Sequence, residues 1–227
     1  MSAALATAFI GVACGDSPAS NTAASPSTSA AASVAPSPSS SPSAATAQRI
    51  ASDPGDVPGA KDCPANGTWP QFLDYLKSTD PAAYRGAQDG WNKLLAAGAT
   101  DGYVAIHADN VSECGAVDHE TQTSGRVVNI AAVHFKDEAS AVAAYHGPDG
   151  PLGVDVAALQ NLGASGVVDA GGSTGLGDNS VVASTTLGGG PFFAAYWQRG
   201  AFDIAILGFD TTDVAGKVIA QRVDGRV

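Results

Sequence analysis

Val127-Val128-Asn129-Ile130-Ala131-Ala132-Val133-His134-Phe135-Lys136-Asp137-Glu138-Ala139-Ser140-Ala141-Val142-Ala143-Ala144-Tyr145 changes period halfway. Up to Phe135 it is an apolar, β-branched run and reads as a strand. From Lys136 it is alanine-rich, with acids in the first turn where the helix dipole favours them. Gly147 and Pro148 end that helix. The strand half has an echo: Asn129–Phe135 aligns with Asp203–Phe209 at an offset of 74 residues. In both copies a strand ends in Phe and a helix starts a few residues later. Identities are few, so chance similarity stays open. Taken as real, the echo implies two strand–helix units sharing one sheet.

Downstream, Ser180–Thr185, Phe192–Gln198 and Ala201–Phe209 read as a three-stranded meander. Leu187-Gly188-Gly189-Gly190-Pro191 and Arg199-Gly200 are its turns. Thr211–Ala220 reads as a capped terminal helix, and Val154–Leu162 as a short one. Upstream, Trp69, Phe72, Leu73 and Leu76 share a helix face, with Thr68 as cap and Pro70 in the first turn. Asp80-Pro81 starts a second helix carrying Tyr84, Trp91, Leu94 and Leu95, stopped by Gly98. The aromatic stripe reads as core rather than ligand surface. Tyr103–His107 is a strand after the Asp101-Gly102 turn. The expected fold class is α+β: a mostly antiparallel sheet with helices packed on one face.

The chain of 227 residues carries a net charge of -11. That excludes nucleic acid as an expected partner, because phosphate binding needs clustered Lys and Arg. The averages hide a segregation. Residues 17–47 hold 11 Ser, 10 Ala, 5 Pro and 3 Thr and no charge. Such a stretch has almost nothing large to bury. The reading is a leader over 1–14, a disordered tether over 15–56, and one α+β domain over 57–227. Extended, the tether reaches on the order of 90 Å.

Ala3–Ala13 is an apolar run too short to span a bilayer and suited to a signal-peptide core. Gly11-Val12-Ala13-Cys14 resembles a bacterial lipobox, with Cys14 as the lipidated residue. It departs from that pattern in having Gly11 where a large aliphatic residue is usual, and no Lys or Arg precedes the run. Plain secretion is the competing reading. Three cysteines are an odd number for an exported chain. Assigning Cys14 to lipid leaves Cys63 and Cys114 as a pair that an oxidising compartment lets bridge. The alternative is two unrelated thiols.

The join Val133–Ala141 looks like a recurrent element of actinobacterial-type exported lipoproteins. Gly175-Leu176-Gly177-Asp178, with Trp197-Gln198-Arg199-Gly200 before a strand, looks like another. The extracellular sensor domains of mycobacterial receptor Ser/Thr kinases share the pattern, over roughly residues 120–223. The resemblance implies an extracytoplasmic α+β domain. It brings no catalytic residues, and this chain has no kinase motif.

Chemistry-bearing motifs are sparse in the sequence. Asp118-His119-Glu120 puts an imidazole between carboxylates, which a solvated loop also explains. His107 and His134 sit in strands; paired, they could share a site with Asp118 or Glu120. Gly163-Ala164-Ser165-Gly166 lacks the nucleophile-elbow glycines. Gly175-x-Gly177 reads as a turn. No catalytic residue, metal ligand or cofactor is assigned. The expectation is a lipid-anchored envelope protein, membrane-bound through Cys14, with a non-catalytic domain for a small molecule or envelope protein. An envelope hydrolase or metal-dependent enzyme and a structural surface-display domain are the alternatives.

Overall fold

The computed structural model describes residues 45–115, 123–147, 159, 161 and 166–227. Cys14, most of the expected tether, Asp118, His119, Glu120, Ser165 and nearly all of the expected helix Val154–Leu162 lie outside the described residues.

The compact unit begins at Ala45. That is earlier than the expected boundary between 56 and 57. Residues 47–51 form helix α1 (Ala47–Ala51), and Ala47, Ile50 and Ala51 are fully buried. The reason lies at the far end of the chain. Arg226 donates to Asp56 Oδ1 at 2.7 Å and to the Ile50 carbonyl at 3.1 Å. Arg222 donates to the Gly55 carbonyl at 2.9 Å. The charge of Asp56, itself buried, is thereby matched.

The strands are β1 (Lys61–Asp62), β2 (Gly67–Thr68), β3 (Ala99–Ala108), β4 (Val127–Phe135), β5 (Val167–Ala170), β6 (Ser180–Leu187), β7 (Gly190–Arg199) and β8 (Phe202–Phe209). They form one sheet in the order β1-β3-β4-β8-β7-β6-β5, with β2 beside another stretch of β3. Every ladder is antiparallel. The meander β6–β7–β8 and strand β4 stand where the sequence puts them. The short pairings β1, β2 and β5 have too few residues to show a period.

Helix α2 (Trp69–Thr79) buries Trp69, Phe72, Leu73 and Leu76, the expected stripe. Gln71 Oε1 accepts from the Thr68 N–H at 2.9 Å and fixes its start. In α3 (Pro81–Ala96) the Asp80 carboxylate accepts from Ala82 and Ala83 N–H at 2.9 and 3.1 Å. Trp91 stacks on Trp69 with ring centroids 5.1 Å apart. Both cover Gly102, where a Cβ would come within 3.0 Å of Trp91. Leu95, expected on this face, is instead 47% exposed.

Helix α4 (Glu138–Tyr145) begins at Asp137, whose carboxylate accepts from Ser140 N–H at 2.7 Å. The last helix is α5 (Asp213–Asp224). Alternate residues of a strand point to opposite faces. On one face Val104, Ile106, Val133 and Phe135 pack with α2, α3 and Ala141 of α4. This is the expected helix layer. On the other, Ile130, Ala132, Ile204, Ile206 and Trp197 pack with α1 and with Ile219, Ala220 and Val223 of α5. The sheet is therefore covered on both sides. Cys63 and Cys114 form a disulfide with an S–S distance of 2.00 Å. It ties the segment after β1 to the turn after β3.

Candidate functional site

Phe202-Asp203-Ile204-Ala205-Ile206 puts an acid inside an apolar strand. The ladder sets Asp203 between Val133 of β4 and Gln198 of β7, on the face that α4 covers. Tyr196, two residues before Gln198, shares that face. Tyr145, near the end of α4, lies on it: the two phenol rings stack at 4.8 Å, 17° from parallel. Val181, Ala183, Ala194, Ala205 and Leu159 complete the surroundings.

Asp203 and Tyr196 are wholly buried. Burial pushes the Asp203 carboxyl up to about 8. The Tyr196 hydroxyl is close enough to oppose part of that rise. It nevertheless misses hydrogen-bond geometry: Tyr196 Oη and both Asp203 oxygens are buried without a hydrogen-bond partner. Burial first, and the Asp203 charge second, push Tyr145 up to about 12 and Tyr196 well above its usual range. At neutral pH the group is thus a neutral acid beside two neutral phenols. An unpaired buried carboxylate is costly, so the proton supplies what no cation among the described residues does.

A chain of polar side chains borders the cluster. His146 Nε2 meets Asn179 Oδ1 at 3.2 Å, Asn179 Nδ2 donates to Gln198 Oε1 at 2.9 Å, and Gln198 Nε2 donates to the Gly200 carbonyl at 2.6 Å. These contacts fix the Gln198 end of the site. The opposite face offers a contrast: Asp224 has Arg199 at 2.8 Å and the Trp197 indole N–H at 3.1 Å.

The histidines of the sequence reading do not meet. His107 is buried on β3 opposite Val128, and its Nδ1 lies 2.9 Å from Asp62 Oδ1. His134 lies six residues further along β4, stacked on Phe202 at 4.4 Å. At about 3.4 Å per residue the two are roughly 20 Å apart. The shared site proposed for them is therefore not formed by this pair. Among the described residues, no group of three or more His, Cys, Asp or Glu could hold a metal ion. No described helix is long and apolar enough to cross a membrane. Gly175 and Gly177 lie in the turn between a 3-10 helix (Gly171–Thr174) and β6.

Sequence reasoning missed Asp203, Tyr196 and Tyr145. The one available signal was a lone acid within a buried strand pattern. No family model, curated protein or solved structure matches the chain.

Proposed function

We propose that this chain is a lipid-anchored cell-envelope protein with a non-catalytic, sensor-like domain that binds a small molecule or an envelope protein. The observation that carries the reading is the Cys63–Cys114 disulfide. Structural disulfides persist in oxidising compartments and are rare in the cytosol. The bridge also accounts for two of three cysteines and leaves Cys14 for lipid, directly after an apolar run and before the Ser/Ala/Pro-rich segment. The loose resemblance to exported lipoproteins and kinase sensor domains points the same way.

Radiolabelled palmitate feeding tests the anchor in cells producing the full chain. Native protein takes up label and stays with membranes. Cys14→Ala takes up none and leaves them. Equal labelling of both contradicts the proposal.

A further inference from the structure

We propose that α4 is an acid-tightened latch: proton uptake by Asp203 closes this helix on the sheet, and proton loss releases it. The inference goes beyond the binding role and does not depend on the lipid anchor.

The geometry supplies the device. Asp203 is wholly buried under α4, and neither carboxyl oxygen has a hydrogen-bond partner. No cation among the described residues faces it. From β7 it meets Tyr196 and Gln198, and from β4 the apolar Val133. From α4 it meets Tyr145, stacked on Tyr196. His146, exposed at the end of α4, is engaged with Asn179. Lys136, Asp137 and Glu138 stand exposed at the start of the helix. Arg199 lies on the opposite face with Asp224.

An ionised Asp203 therefore needs water. Leu159 also packs on this cluster, and the movement that admits water is assigned to α4, which carries Tyr145. This helix has eight residues and buries only Ala141 and Tyr145, so little apolar contact holds it. Burial raises the closed-state pKa of Asp203 to about 8. In the opened state a solvated Asp has a pKa near 3.9. Between those values the closed form binds a proton that the open form lacks. Closure is then strongest below about pH 4, weakens by about tenfold per pH unit up to about 8, and stays level above that.

Hydrogen exchange of the α4 amides in the full chain, corrected for the intrinsic pH dependence of exchange, reads the opening. Between pH 5 and 7.5 the native opening constant should rise by about 10²-fold or more. In Asp203→Asn, which keeps shape and removes the charge, it should stay level. The same rise in Asp203→Asn, or none in the native chain, overturns the proposal. So does opening of the β4 amides in step with α4, which would mean unfolding of the whole unit. Carbon-13 titration of the native Asp203 carboxyl covers the case in which the variant fails to fold. A midpoint near 8, with native α4 opening rising over the same pH range, supports the latch; a midpoint near 4, or a midpoint near 8 with level α4 opening, overturns it.

Discussion

Ala131 and Ala205 stand opposite each other in the β4–β8 ladder, and they are also the matching residues of the 74-residue sequence echo. Around them Ile130 pairs with Ile206 and Ala132 with Ile204. Matching positions thus straddle one point, as a local two-fold axis between antiparallel strands requires. The strands obey this relation and the helices after them do not. Helix α4 settles on the face carrying Ala131 and Ala205, and α5 on the other. The asymmetry leaves Asp203 beneath a short helix held by few side chains.

Helix α5 reaches its face through Gly216. A Cβ at this position would overlap the Phe193 ring. Gly216→Ala should cost about 1–3 kcal/mol by overpacking. Denaturant unfolding measures the loss, and Phe193→Leu in the same chain should recover part of it. Additive losses from the two changes would contradict the contact.

Removing Arg226 strands a buried charge. Arg226→Ala leaves Asp56 without its guanidinium and the Ile50 carbonyl without two donors. The expected loss is about 3–5 kcal/mol, with α1 amides losing exchange protection first. A variant lacking residues 45–56 should be destabilised as well. A loss under about 1 kcal/mol on either change would place the start of the folded unit after residue 56.

The disulfide closes a separation of 51 residues. Cys63→Ser with Cys114→Ser should lower unfolding free energy by about 4 kcal/mol in the chain-entropy model. Non-reducing peptide mapping of the native chain should recover the two cysteines in one linked pair. Two free thiols would remove both the bridge and its support for an oxidising compartment.

Global stability should carry the Asp203 signature too. Its folded pKa is raised to about 8, so stability declines as pH rises from about 4 to about 8. Asp109 works in the other direction. Its hydrogen bond from Arg126 holds its carboxyl below the usual range, so its contribution is present above about pH 4 and is lost as pH falls. Urea midpoints at pH 5 and 7.5 separate the two. The native chain should be the more stable at pH 5, and Asp203→Asn should remove that difference.

The sheet's main strands were legible because their period is local. Val127–Phe135 and each single strand of the meander declare themselves over ten residues or fewer. The α2 and α3 starts were legible from Thr68 and Asp80, whose partners lie within three residues. The Cys63–Cys114 pair was one of two expectations, the other being two unrelated thiols, and the bridge decides between them. Helix α1 was not legible: it has one large buried side chain, Ile50, and is secured by an arginine 176 residues away. The candidate site was hidden for the same reason. Asp203 is conspicuous in its strand, but Tyr145 comes from another element and only the fold stacks it on Tyr196. His107 and His134 show the converse. Both lie on neighbouring strands, yet the register keeps them far apart.

The proposed lipid anchor in the cell envelope is decided by the intact mass of protein extracted from membranes. An anchored protein yields a mature chain that begins at Cys14 and carries the added mass of a diacylglyceryl group there. A chain with an unmodified Cys14, recovered from the soluble fraction, would contradict it.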